Sequence, residues 1–371
     1  MTRRQRIEDL TTFAVPSQPA LAPDGSQVVY VVSTIDEQAD RSVQCLWRVG
    51  AVAGEPVQLT RGRSDSAPAW SPDGSRIAFL RADDGPAQVW LLPADGGEPE
   101  QLTTLPLGAG APIWSPDGTR IAFAAPVDLH AESGEDDDAR TRRAGAPIVS
   151  DRLNYQFDGS GFLRTIRSHL HVVDPATKEC RQLTSGDWNA DQPSWSPDSG
   201  KLAFAAAMAP DADLTFLAPV YTLDLSDPHA EPIIAGPPDM AGGRTTWTDG
   251  QAILVVGTLG RPIGHARLLR IALDGGDVTD LAGTLDRNVL QGGPGYPGAL
   301  PQLAGDGRTV LFCIRDAGCT HLDALTDSGP PRPVVAGAGH VVAGVSATGD
   351  QAAIVLATQT SFGEVVVVDL A

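Results

Sequence analysis

The residues of this sequence whose types and spacing suit chemistry gather in one stretch: Arg152, Tyr155, Asp158 and Arg167. A guanidinium holds a carboxylate or carbonyl through paired N–H groups, and a carboxylate holds an amine. Together these four suit contact with a ligand. A local reading stands beside that one. Asp158-Gly159 also suits a hairpin turn, and Arg152 also suits pairing with the acidic run Glu135-Asp136-Asp137-Asp138. That run lacks the alternating spacing of a calcium loop and reads as a solvated segment. His169 and His171 are two apart, so on a strand they share a side. No carboxylate or thiol stands at matching spacing, so no metal is expected there. Cys45, Cys180, Cys313 and Cys319 form no CxxC pair or zinc cluster. Cys313 and Cys319 are near enough in sequence to meet, but the four read as reduced, mostly buried thiols. No catalytic residue and no cofactor is assigned.

What positions these residues is a repeat. The sequence reads A-W-S-P-D-G-S-R-I-A-F from Ala69, I-W-S-P-D-G-T-R-I-A-F from Ile113 and S-W-S-P-D-S-G-K-L-A-F from Ser194. Weaker copies surround Asp24, Asp249, Asp306 and Thr348. Successive copies lie 42–57 residues apart, except for one interval of 81 between Asp117 and Asp198. That period marks a propeller, with one supersecondary unit per repeat. In S-P-D-G, proline presets φ, aspartate bonds nearby amides, and glycine takes positive φ. The apolar triplet that follows (Ile77-Ala78-Phe79) reads as a buried strand. Third strands are expected at Leu46–Val49, Val89–Leu92, Leu170–Asp174, Val220–Leu225, Leu268–Leu273, His321–Leu325 and Glu364–Leu370. Fourth strands close on Gln-Leu-Thr at Gln58, Gln101 and Gln182. The sequence therefore predicts an all-β fold, a seven-bladed β-propeller of four-stranded antiparallel blades. It would form a single domain over residues 1–371, with a rim insertion at about 126–167. The seventh repeat shows three strands, and the segment before Pro19 is expected to supply its fourth and close the ring.

Composition fits. Gly (40) and Pro (30) are abundant and aromatics are scarce (5%), as short strands joined by tight turns require. A formal charge of −19 repels phosphate backbones and argues against a nucleic-acid partner. No apolar run reaches membrane-spanning length, and Met1–Val15 lacks the apolar core of a secretory leader. A cytoplasmic protein without membrane contact is expected, and self-association into a homo-oligomer stays open.

The order of W-S-P-D-G-x-R-I-A-F blades, an insertion ending D-R-L-N-Y-Q-F-D-G-S-G, and then H-L-H-V-V-D-P-A-T, R-Q-L-T-S-G-D and P-S-W-S-P-D resembles a known family. It is similar to the N-terminal β-propeller of the prolyl oligopeptidase-type (S9) serine peptidases, especially the acylaminoacyl-peptidase and dipeptidyl-peptidase-like branch. The start Arg6-Ile7-Glu8-Asp9-Leu10 shares the likeness. The resemblance implies a gating, substrate-selecting propeller, with Arg152, Tyr155, Asp158 and Arg167 among its chamber-facing residues. It also implies a catalytic α/β-hydrolase domain built on a G-x-S-x-G elbow. No G-x-S-x-G occurs here, and Gly344-Val345-Ser346-Ala347-Thr348 is a blade-turn near miss. The expected partners are a peptide substrate or a separately encoded α/β-hydrolase domain. The alternative is a stand-alone TolB- or WD40-like propeller that binds proteins or peptides as a scaffold.

Overall fold

A computed structural model describes residues 6–131, 137–158, 161–275, 277–293, 295–326 and 329–370. The fold is all-β. Among the described residues, helix is confined to Asp137–Ala144, Ala212–Thr215 and the short 3-10 turns Ile7–Thr12 and Gly283–Leu285. Five four-stranded antiparallel sheets follow one another along the chain. The second runs Asp65–Trp70, Arg76–Arg81, Gln88–Pro93 and Glu100–Gln101, and the others repeat that order. In the third, the second strand (Ile121–Asp128) and third strand (Ile166–Val173) flank the insertion, so the excursion proper starts after Asp128. A nine-stranded sheet completes the chain. Its earlier part, Asn288–Val335 overall, joins its later part (Val341–Thr348, Gln351–Thr358, Ser361–Asp369) through parallel bridges at Gly298–Ala343 and Thr320–Val341.

Among the described residues, seven apolar clusters pack these layers: one lies between the two parts of the nine-stranded sheet, five lie between successive sheets, and one joins the end of the chain to its start. There Leu21, Val28 and Tyr30 of the first sheet pack on Ala353, Val365 and Val367. The layers therefore form a ring. Phe79, Phe123, Phe204 and Phe312 each end an apolar triplet of the repeat and are fully buried between layers. Each such burial stabilises by roughly 1.5–3 kcal/mol.

The repeat motif is a set of bonds between layers. Nε1 of Trp70, Trp114, Trp195 and Trp247 donates to a carbonyl of the preceding inner strand, on Ala20, Ala69, Ile113 and Ser194, at 2.9–3.1 Å. Arg76 stacks over Trp114, and Arg120 over Trp195. Each turn aspartate gathers donors. Asp73 accepts from the hydroxyls of Ser71 and Ser75 and from the Ser75 amide, and these bonds hold its carboxyl at about 2. Gly74 and Gly118 take φ near +70°, as the turn demands. In the copy that reads S-P-D-S, Ser199 adopts φ +59° instead. There its hydroxyl accepts the Asp117 amide and its carbonyl accepts Arg120 Nη2, which gives the serine a use.

The expected closing strand is not formed. Among the described residues, Val15–Leu21 pairs only with Gln27–Asp36, as the inner strand of its own sheet. Likewise among the described residues, Ser361–Asp369 pairs only with Gln351–Thr358. Two physical causes are visible. Residues 7–12 coil into a 3-10 turn, held where the Arg6 amide donates to Asp9. Pro16 and Pro19 lack the N–H that a ladder needs. The seam closes by side chains instead: the Leu21 amide donates to Ser346 Oγ at 2.9 Å, and Phe13 packs on Phe362. Cys313 and Cys319 do not meet either. Cys313 sits opposite Leu322 and Cys319 opposite Asp316, and all four thiols are free.

Candidate functional site

Alternating strand direction sorts the connections onto two faces of the ring. The S-P-D-G turns share one face. The second-to-third-strand loops and the links between sheets share the other, the loop face. The insertion 129–165, the link 183–193 and the loop 206–219 all belong to the loop face and meet there.

Two of the predicted residues come together. Arg152 Nη2 donates to Asp187 Oδ2 and Arg167 Nε to Asp187 Oδ1, each at 2.7 Å. Arg167 is fixed further: its Nη1 donates to the carbonyls of Arg164 and Ile166, both at 2.9 Å. The Arg152 guanidinium has no other acceptor among the described residues, and 31% of the side chain is exposed. Two guanidiniums on one carboxylate leave an excess positive charge and spare donors, the requirement for taking up an anion. The Arg152 partner is thus Asp187 rather than the acidic run. Within that run Asp137 and Asp138 open the helix Asp137–Ala144, while Glu135 and Asp136 lie outside the described residues.

Tyr155 and Asp158 sit apart from this pair. They flank a two-stranded hairpin, Gln156–Phe157 with Gly161–Phe162. Tyr155 stacks on Phe162 with ring centres 6.2 Å apart. Asp158 is exposed at the hairpin turn, and no ion pair joins it to Arg152 or Arg167. Its neighbour Gly159 lies outside the described residues. The Leu153 amide donates to Asp213 at 2.8 Å and ties the insertion to the 206–219 loop. Leu153, Phe157, Leu214 and Phe216 are each more than half exposed, so the loop face presents an apolar surface beside the arginines.

Sequence reading missed what supports this site. Trp188, next to Asp187, meets His169 edge-on at 5.1 Å and stacks on buried Phe204. His169 holds the 184–186 turn: its ring nitrogens bond Thr184 Oγ1 at 3.2 Å and the Gly186 carbonyl at 3.0 Å. The Gly186 carbonyl can only accept, which places the ring hydrogen on Nε2, so Nδ1 accepts from the Thr184 hydroxyl, whose oxygen also takes the Leu170 amide. A homologous position existed as a signal. Gln88 takes Thr103 Oγ1 on its carbonyl oxygen and donates to the Leu105 carbonyl, one sheet earlier. The histidine does a glutamine's work. His171 is committed too, with Nδ1 on the His169 carbonyl and its ring stacked on Phe123.

Burial pushes the pKa of both histidines down. The sign follows. The folded chain resists protonation, so the unfolded chain takes up protons first, and stability falls as the pH drops below about 6.5. His169→Gln is expected to fold and to lose less stability than the parent between about pH 6.5 and pH 5. Urea midpoints across that window measure it, and equal slopes would refute it.

Comparison with known proteins places this geometry. The Lipoprotein LpqB beta-propeller domain family model matches residues 6–134. The uncharacterized peptidase YuxL of Bacillus subtilis is 31% identical over 218 residues, 58% of this chain and 33% of that protein. The acylaminoacyl peptidase of Pyrococcus horikoshii superposes with a TM-score of 0.73 at 18% identity, over 97% of this chain and 53% of that one. The beta-propeller domain of the trilobed protease from Pyrococcus furiosus, described as having an open velcro topology, matches at TM-score 0.65 and 16% identity, over 97% and 94%. The chain thus spans about half the length of the acylaminoacyl peptidase, and its match to YuxL covers a third of that protein. The fold is a β-propeller, and its structural neighbours include the propellers of S9 peptidases.

Proposed function

We propose that this chain is the gating and substrate-selecting propeller of a serine oligopeptidase-like protein, which admits short peptides and leaves bond cleavage to an α/β-hydrolase partner. The observation that carries this reading is the loop face. It joins exposed apolar side chains to the Arg152–Asp187–Arg167 cluster, whereas the opposite face carries the repeat's turn aspartates. A hydrolase domain seated there would bury the apolar surface and leave the arginines at the rim of an enclosed space. The propeller's contribution would be exclusion and orientation of the substrate. In this reading the nine-stranded sheet counts as two blades, giving seven. The whole of residues 1–371 is one propeller domain, and the free thiols suit a cytoplasmic setting. Arg152 and Arg167 take the peptide carboxylate, Tyr155 its apolar side chains and Asp158 its amine.

Arg152→Ala tests the assignment. The Arg152–Asp187 pair is exposed, so its removal should change stability by at most about 1 kcal/mol. Peptide affinity should fall by about tenfold or more, as loss of a charge-assisted bond worth roughly 1.5–3 kcal/mol requires. Titration of a fluorescent tetrapeptide into parent and variant reads this directly, and equal affinity would remove the arginine from the site.

The second reading, a stand-alone scaffold, is favoured by the match of residues 6–134 to the LpqB propeller family. It predicts binding of folded proteins at the loop face with no preference for short peptides.

A further inference from the structure

The repeat fixes one residue in the same backbone place in each of the first four sheets. The amides of Ala22, Ser71, Ser115 and Ser196 close the turn onto the carbonyls of Gln27, Arg76, Arg120 and Lys201 at 2.8–2.9 Å. The next sheet's inner strand brings a tryptophan to each junction, in the order Trp70, Trp114, Trp195 and Trp247. At the second and third junctions a guanidinium covers the ring. Arg76 Cζ lies 5.9 Å from the centre of Trp114, and Arg120 Cζ lies 5.0 Å from that of Trp195. Arg120 Nη2 also donates to the Ser199 carbonyl, in the turn of the next sheet, at 2.6 Å. The fourth junction carries Lys201, 4.0 Å from Asp224. The first of the four carries a neutral residue, Gln27.

Two observations show what the neutral residue leaves behind. A cavity of about 380 Å³ opens between the first two sheets, lined by Gln27, Trp70 and Gly74 together with Asp24, Asp73 and Asp95. Trp70 is only half-buried, whereas Trp114, Trp195 and Trp247 are 7–8% exposed. The cavity has what a guanidinium needs. The face of Trp70 attracts a cation held within about 6 Å of its centre. Gly74 stands in its turn where Ser199 stands beside Arg120, so its carbonyl is the matching acceptor. Three carboxylates and no basic residue line the space. Hydrogen bonds from Ser26 to Asp24, and from Ser71 and Ser75 to Asp73, hold both carboxyls below their usual range. Arg48 donates to the Ala94 carbonyl at 2.7 Å and does not line the cavity.

We propose that this cavity binds a guanidinium carried on an alkyl chain, stacked on Trp70, donating to the Gly74 carbonyl and neutralised by Asp24, Asp73 and Asp95. The Arg76 and Arg120 junctions are the internal precedents for the ring contact, and Arg120 is the precedent for the carbonyl. A guanidinium suits the site better than an ammonium, because it is planar, stacks on aromatic rings and is more weakly hydrated. Two sources carry that group: an arginine residue of another polypeptide, and a free alkylguanidine. The cavity lies on the face of the S-P-D-G turns, so the inference does not rest on the peptidase reading and uses none of its residues.

The test follows the indole N–H resonance of Trp70, identified by its loss in Trp70→Phe, as ligand is added to the full chain. Agmatine represents the free base, and N-acetylarginine methylamide represents the residue in a chain. A saturable shift at millimolar ligand is expected. Raising the salt from about 0.01 M to about 0.15 M should weaken binding by about threefold or more, because exposed charges are then screened. A shift by the capped arginine assigns the site to a polypeptide's arginine, and a shift by agmatine alone assigns it to a free base. Gln27→Arg supplies the group from within the chain. It should abolish the shift by either ligand and raise the urea midpoint. Asp95→Asn, at an exposed position, should fold as the parent does and bind about threefold more weakly. No shift by either ligand at tens of millimolar would overturn the proposal. Binding unchanged in both Gln27→Arg and Asp95→Asn would overturn it as well.

Discussion

Replacing Arg81 with alanine is expected to destabilise the protein by about 3–5 kcal/mol, the cost of leaving a buried charge unpaired. Asp65 is fully buried at the start of the second sheet's inner strand. Its two oxygens accept from Arg81 Nε at 2.7 Å and Nη2 at 2.9 Å. The guanidinium also lies over the rings of Phe79 and Trp90, so alanine removes packing as well as charge. The site has no slack. A Cβ on Gly62 would stand 2.5 Å from Asp65 and 2.7 Å from Arg81 Nε, which makes glycine necessary there by close approach. Urea denaturation gives the value for Arg81→Ala. The pair Asp65→Leu with Arg81→Met should recover most of the loss, because it removes both charges and keeps apolar volume. A loss below about 1 kcal/mol in Arg81→Ala would mean that water or another cation reaches Asp65.

Phe204→Ala should cost about 3–5 kcal/mol and should also disturb the candidate site. Phe204 is fully buried in the cluster between the third and fourth sheets. Its ring stacks on Tyr221 at 6.1 Å and on Trp188 at 6.4 Å. Trp188 in turn leans on His169 and follows Asp187, the carboxylate that both arginines share. Alanine therefore leaves a cavity beneath the residue that steadies the Asp187 turn. Two readings are expected together: a lower urea midpoint, and weaker peptide binding in conditions where the variant is still folded. A variant that loses stability but binds peptide as the parent does would detach the core from the site.

Much of the fold was legible in the residues. The S-P-D-G copies located the turns, and the seven expected third strands fall within or overlap observed strands from Arg41–Gly50 to Ser361–Asp369. Local chemistry decides such elements, since a proline, an aspartate and a glycine at fixed offsets leave the backbone few choices. Closure was not legible. Whether Val15–Leu21 joins the first or the last sheet depends on a long-range competition, and one-dimensional pattern carries no term for it. The prolines at 16 and 19 were the available clue. Of the site, the arginines were found by type, but their common partner was not. Asp187 follows a Gln-Leu-Thr strand like any other polar loop residue, and only the fold brings it between Arg152 and Arg167. His169 and His171 drew attention as histidines, yet Gln88 at the equivalent place shows their work to be structural.

The central claim is that this propeller selects peptides for a catalytic partner and cleaves none itself. Peptidase assay of the purified 371-residue chain, alone and mixed with an α/β-hydrolase domain of the S9 type, tests that most directly. The account predicts no hydrolysis by the chain alone and, with the partner, hydrolysis confined to short peptides and weakened by Arg152→Ala. Hydrolysis by the chain alone, or partner activity indifferent to the chain in rate and in peptide length, would contradict it.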